Sequence, residues 1–140
     1  DDLIGEEGVR LVVDAFLHLV NSPRRRGENR AEVIENMAYM AFTGNLPEWG
    51  AENLKEELFE FLSLDRYEKY KEMDVAPDLP SYKSLLEPML NFVVQENPEW
   101  VSSIINRLSQ EESLFATRCI YSIEELSKLL SDHQKSKGAQ

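Results

Sequence analysis

His18 is the side chain of this sequence best placed for general acid–base chemistry. It follows Asp14 by four residues on a predicted helix, so the carboxylate could orient the imidazole as a general base. The same spacing is that of an ordinary surface ion pair, which we favour. His133 lies in a polar C-terminal segment with no evident partner. The sequence carries no phosphate-binding glycine loop, G-x-S-x-G, H-E-x-x-H or EF-hand motif, so an enzyme is not predicted.

Cys119 is the one cysteine, which excludes an intramolecular disulfide. It shares the apolar face of a predicted helix with Phe115, so we interpret it as a buried structural thiol. The adjacent carboxylates Glu56–Glu57 and Glu111–Glu112 diverge on a helix and have no recognised ligand spacing. No catalytic, metal or cofactor site is therefore predicted.

The segment NSPRRRGENR places Arg24, Arg25 and Arg26 between two predicted helices. Three interpretations remain open. In the first, which we favour, the arginines form a solvated loop. In the second, they form a basic patch, and its partner is an acidic protein, an acidic patch of a second copy, or RNA. Alternatively, Ser22 is phosphorylated, because Ser22-Pro23 followed by arginine suits a proline-directed kinase and the phosphate would lie beside guanidinium groups.

The composition describes an acidic chain that can bury a core. Asp and Glu number 26 against 15 Lys and Arg, the net charge is −11, and 42% of the 140 residues are hydrophobic. An acidic surface repels phosphate backbones, so direct nucleic-acid binding is not expected and a basic partner is. No apolar run is long enough for a membrane span and no signal peptide is evident, so we expect an intracellular protein, cytoplasmic or nuclear. The chain begins at Asp1 without Met, which we interpret as a piece of a longer protein.

Every strong periodicity in the sequence is helical. Helices are predicted at residues 5–20, 28–43, 50–63, 65–73 and 81–96, and in three shorter segments after residue 97. Pro88 predicts a kink or break near Glu87. Further signals mark helix ends: Gly44-Asn45 closes a helix, and Asn97-Pro98, Ser109 with Glu112, and Ser122 with Glu125 each open one.

The motif Pro47-Glu48-Trp49 recurs as Pro98-Glu99-Trp100, 51 positions later. At that offset the preceding apolar helices also align loosely, which suggests repeated helix pairs. We predict one helical domain over residues 1–132, with candidate repeat halves 1–73 and 81–132 joined by a loop at 74–80, and a flexible tail at 133–140. No family motif matches.

The predicted fold is therefore all-α: seven or eight short helices in an α-hairpin stack of the armadillo or HEAT kind, or an irregular bundle. The Met-rich helix with Met37, Tyr39, Met40 and Phe42 is interpreted as core.

The predicted function is protein–protein interaction, as a scaffold or adaptor domain of a larger protein that binds a basic or amphipathic segment. The predicted surface is acidic and bordered by aromatic rings, with the partner-binding residues Trp49, Glu56, Glu57, Glu60, Tyr67, Tyr70 and Trp100. The alternative is a small acidic inhibitor or immunity-type protein that blocks a nuclease or another nucleic-acid-binding protein by mimicking phosphate charge.

Overall fold

The computed structural model describes residues 7–8, 10–11, 14–15, 18, 27–44, 46–74, 76–110 and 117–138. The helices are α1 (Gly27–Thr43), α2 (Glu48–Glu60), α3 (Leu64–Glu72), α4 (Leu79–Glu96), α5 (Pro98–Leu108) and α6 (Ile123–Gly138). The all-α class is confirmed. The described residues contain six helices rather than the seven or eight predicted, and the predicted first helix and residues 111–116 lie largely outside them.

Local sequence signals set several helix ends as predicted. Ser122 and Glu125 form the capping box: the Glu125 N–H donates to Ser122 Oγ at 3.1 Å, and the Ser122 N–H donates to Glu125 Oε1 at 3.0 Å. Gly44 follows the last residue of α1, and a Cβ there would collide with the Met40 carbonyl oxygen. The Ser109–Glu112 box extends beyond the described residues.

Other helix ends differ from the prediction. Helix α4 begins at Leu79 because the Asp78 carboxylate accepts the Ser81 N–H at 2.8 Å, and this bond lowers the pKa of Asp78. The helix is continuous through Pro88, so α4 does not break there, and the other predicted outcome, a kink, stays a prediction. Asn97 precedes α5, but its side chain makes no capping bond. Helix α6 continues to Gly138 and includes the first residues of the predicted tail.

Helices α1 and α4 form the largest helix–helix contact of the described chain. Ala31 and Ser81, both near the helix starts, line one groove, whereas Tyr39 contacts Phe92 near the helix ends. The two helices therefore run in the same direction. Their facing sides supply much of the core, with these fully buried residues: Ile34, Met37, Ala38, Leu86, Met89 and Val93.

A cluster of aromatic rings lies where α3 packs against α4. The Tyr82 ring lies 5.7 Å from Tyr70 and 5.4 Å from Tyr67, and its hydroxyl donates to the buried Phe61 carbonyl at 2.6 Å. The Arg30 guanidinium lies 5.5 Å from the centre of the Tyr70 ring, and Arg30 is fully buried. Arg30 therefore belongs to the core of the described chain.

This cluster predicts loss of stability in alkali. Burial raises the pKa of Tyr70 from 10.0 to about 12, and burial also raises the pKa of Tyr82. A group whose pKa is raised by folding contributes stability that is complete below the unfolded pKa and is lost as the pH rises through the folded pKa. For Tyr70 the window runs from 10.0 to about 12 and corresponds to about 3 kcal/mol. Urea unfolding at about pH 8 and about pH 11 should measure roughly half of this loss, because pH 11 lies midway through the window. The loss of unfolding free energy should be smaller in Tyr70→Phe. An equal loss in that variant would show that ionisation of Tyr70 is not its cause.

Candidate interaction surface

The two tyrosines predicted to bind a partner belong to the aromatic cluster of the core. Tyr70 is fully buried, which corrects its prediction as a surface residue. Tyr67 is half-buried, and its ring packs at a tilt against that of Tyr82. The sequence placed both rings on one face of α3 correctly, but that face packs inward against α4.

The glutamates predicted beside them lie on α2. Glu56 and Glu60 are exposed, whereas Glu57 is half-buried and lies 3.5 Å from the Arg66 guanidinium. That guanidinium in turn lies 4.6 Å from the Phe61 ring centre. The charge of Glu57 is thus partly compensated within the protein.

The two tryptophans differ in exposure. Trp49 is 43% exposed at the start of α2. Trp100 is half-buried and meets the Phe42 ring edge to face at 5.6 Å, and the Lys55 ammonium lies 5.0 Å from the same Phe42 ring. Trp100 therefore has a packing role against Phe42, and Trp49 is the more exposed of the two.

Of the other sequence candidates, Ser22, Arg24, Arg25 and Arg26 lie outside the described residues. Asp14 and His18 are both exposed, as in the surface interpretation.

Cys119 is half-buried, and burial raises the pKa of its thiol, which disfavours the reactive thiolate. Its backbone forms an isolated bridge with Ser63, and the next amide, of Ile120, donates to the Leu62 carbonyl at 2.8 Å. These backbone contacts join the segment before α6, which contains Cys119, to the turn between α2 and α3.

A surface groove follows the contact between α1 and α4, and we call it the α1–α4 groove. Its first section has a volume of about 570 Å³ and is lined by Ala31, Glu32, Glu35, Ser81, Ser84, Leu85 and Pro88. Its second section has a volume of about 430 Å³ and is lined by Glu35, Ser84, Glu87, Pro88, Asn91, Phe92 and Gln95. Because Glu35, Ser84 and Pro88 line both sections, the two sections adjoin.

The charged residues that line the α1–α4 groove in the described part of the chain are all acidic. Glu32, Glu35 and Glu87 line it, and no lysine or arginine is among its described lining residues. Lys83, also on α4, is bonded to Glu125 at 2.7 Å, on the side of α4 that faces α6. Although partial burial acts to raise the pKa of Glu125, its bonds with Lys83 and Ser122 lower that pKa overall. Lys83 is thus paired away from the groove.

Aromatic rings border the second section of the groove. Tyr39 is 61% exposed, and its ring lies 5.8 Å from that of Phe92. Phe92 lines the groove itself, so the two rings together form an aromatic edge along this section.

The sequence interpretation missed Tyr39 as a surface residue. Met37, Met40 and Phe42 made its whole helix resemble core. The usable signal was the set of polar residues that share a helix face with Tyr39. They are seven, four and three residues earlier in the chain: Glu32, Glu35 and Asn36.

The described part of the chain was also searched for a metal site and for a membrane-spanning helix. It contains no group of three or more His, Cys, Asp or Glu side chains arranged to hold a metal ion. None of the helices described is long and apolar enough to cross a membrane. Compared with known families, curated proteins and solved structures, the chain matches none of them.

Proposed function

We propose that this chain is a protein-interaction domain that binds a basic, amphipathic segment of another protein in the α1–α4 groove. The observation that carries the proposal is the combination of three glutamates, apolar side chains and a bordering aromatic pair, the exposed Tyr39 and the half-buried Phe92, along one groove. The sequence suggested an acidic, aromatic-bordered surface made of other residues, on α2, α3 and α5; the groove shares its chemistry but none of its residues.

The lining of the groove indicates which partner would fit. Ala31, Leu85 and Pro88 provide apolar surface in the first section, where a partner's aliphatic side chain would lose contact with water. The glutamates along the walls would attract a cationic residue and repel an acidic one, so they give specificity as well as a faster approach. An apolar and a cationic side chain about one turn apart on a partner helix would satisfy both sections.

We further propose that the domain is a stack of two related helix pairs, α1–α2 and α4–α5. The offset of 51 residues carries α1 onto residues 78–94 and α2 onto residues 99–111, close to the observed α4 (Leu79–Glu96) and α5 (Pro98–Leu108). The parallel packing of α1 on α4 also supports this arrangement, because equivalent helices of stacked repeats lie side by side. The groove would then be the junction between two repeats.

The function is tested by capture from cell lysate with two matched variants of the full chain. Glu32, Glu35 and Glu87 are replaced together by glutamine in one variant, and Glu56, Glu60 and Glu68, which are exposed on α2 and α3, in the other. Both variants lose three charges. Three ion pairs of about 0.5 kcal/mol each predict roughly tenfold weaker binding for the groove variant only, with binding that also weakens in salt.

Equal loss of capture in both variants would show that binding depends on the overall negative charge. Loss in the control variant alone would show that the partner binds at α2 and α3. The alternative, an acidic inhibitor, predicts one nucleic-acid-binding partner whose capture is abolished by added nucleic acid. The interaction domain is supported by a protein whose capture is unaffected by added nucleic acid but is weakened in the groove variant.

A further inference from the structure

A second groove follows the other side of α4, between α4 and α6, and we call it the α4–α6 groove. Its volume of about 540 Å³ is similar to that of the first section of the α1–α4 groove. Unlike the α1–α4 groove, it takes apolar lining from both of its helices and from the segment before α6. These apolar residues are Pro80, Leu90, Tyr121 and Leu129.

The charged residues that line the α4–α6 groove are of both signs. Lys83 and Glu125 neutralise each other at 2.7 Å, and the second oxygen of Glu125 accepts the Ser122 N–H. Glu87 and Lys128 line the same groove. Lys128 is exposed, and its ammonium group has no ion-pair partner among the described residues. Lys128 is therefore the cation that this groove offers to a carboxylate.

The two grooves are separated by a crest of α4 that consists of Ser84, Glu87 and Asn91. These three residues are exposed, line both grooves and follow one another at steps of three and four, so they lie on one face of the helix. Packed helices lie about 8–10 Å apart, so the two grooves are separated by about the same distance. A helix with its side chains is about 10–12 Å wide, so one helix lying on the crest would reach both grooves.

We propose that the partner segment is one amphipathic helix that lies along the crest of α4 and inserts side chains into both grooves. The inference rests on the proposed function and specifies the two sides of the partner. The side over the α1–α4 groove is cationic, because Glu32 and Glu35 line that groove. The side over the α4–α6 groove carries an apolar residue and a carboxylate, which meet Leu129 and Lys128. The difference in charge between the grooves thus fixes how the partner helix is oriented.

The orientation is tested with two synthetic peptides of equal composition, each an alanine-based helix of about 18 residues, or roughly five turns. The two-sided peptide has lysines along one side, and a leucine and a glutamate along the opposite side. In the one-sided peptide the leucine and the glutamate lie among the lysines, and the opposite side is alanine. Each peptide is titrated to millimolar concentration into the isotope-labelled full chain, and the backbone amide signals are followed by NMR.

We expect the two-sided peptide to shift signals of α1, α4 and α6 together. It should bind about fivefold more tightly than the one-sided peptide, because its leucine is partly removed from water in the α4–α6 groove. The one-sided peptide should shift signals of α1 and α4 only. Shifts from the two-sided peptide that are confined to α1 and α4 would overturn the proposed orientation.

Lys128→Glu and Lys135→Glu are matched variants, since both lysines are exposed on α6 and only Lys128 is among the groove residues. The two-sided peptide should bind about fivefold more weakly to Lys128→Glu than to Lys135→Glu, because an attraction is replaced by a repulsion. Exchange of the peptide's glutamate for lysine should improve binding to Lys128→Glu more than binding to Lys135→Glu. Equal effects in the two variants would show that the peptide does not reach Lys128.

The outcomes for the orientation and for the proposed function are distinguishable. Equal binding of the two peptides would overturn the orientation and leave the proposed function standing, because both peptides are basic and amphipathic. Replacement of Glu32, Glu35 and Glu87 by glutamine should weaken both peptides, and an unchanged affinity would contradict the proposed function. Binding of neither peptide at millimolar concentration would contradict both.

Discussion

Replacement of Tyr70 by alanine is expected to lower the free energy of unfolding by about 3–5 kcal/mol, the usual cost of removing a large buried ring. The Tyr70 side chain is fully buried and contacts the rings of Phe61 and Tyr82 and the guanidinium of Arg30. Its removal would leave a cavity beside a buried cation that has lost an aromatic neighbour. Chemical denaturation followed by circular dichroism measures the change.

Tyr70→Phe is the matched control, because it keeps the ring and should retain most of the stability. Tyr67→Ala should cost less than Tyr70→Ala, since the Tyr67 side chain is only half-buried. If Tyr70→Ala unfolds at the same denaturant concentration as the unsubstituted protein, the ring does not lie in the core. A Tyr70 variant that fails to bind a partner would report on folding and would not identify a contact.

Met37→Ala is expected to cost about 2–5 kcal/mol, whereas Tyr39→Ala, two residues along the same helix, should cost about 1 kcal/mol or less. Met37 is fully buried, and Tyr39 is 61% exposed with its ring against Phe92. Helix α1 thus presents one side to the core and the other to the edge of the groove.

The same pair should separate stability from binding. Tyr39→Ala should weaken capture of the partner, because its ring borders the groove, and it should lower the denaturation midpoint much less than Met37→Ala does, because the ring is 61% exposed. Met37→Ala, tested at a temperature where the variant is still folded, should retain capture. The reverse pattern would contradict the location of the binding surface on this side of α1.

Predictions that depended on neighbouring residues of the chain were largely met. The Ser122–Glu125 box and the Gly44 end are set by hydrogen bonds and steric limits within a few residues, so the sequence contains all the information they need. The all-α class also followed from periodicity. Pro88 was expected to interrupt α4, but packing of α4 against α1 maintains a continuous helix through it.

Predictions about exposure failed where two helices meet. Tyr67 and Tyr70 share a face that also carries charge, and the sequence could not tell whether that face would meet solvent or α4. The prediction for Tyr39 failed in the opposite direction. Its apolar neighbours in the sequence favoured the core, but the side chain is exposed. Arg30, which lies in the predicted helix after the arginine-rich segment, is buried over Tyr70, and nothing in its sequence context indicated that burial.

The sequence by itself determined the helical class, the acidic charge and the local signals that start and end helices, because these depend on composition and short spacing. Only the tertiary structure decided which polar and aromatic side chains share a surface. Glu35 and Glu87 are 52 positions apart in the chain, and they line one groove because α1 and α4 pack in parallel. That pairing arises from burial of the apolar sides of both helices, a free energy summed over many contacts that no short segment of sequence specifies.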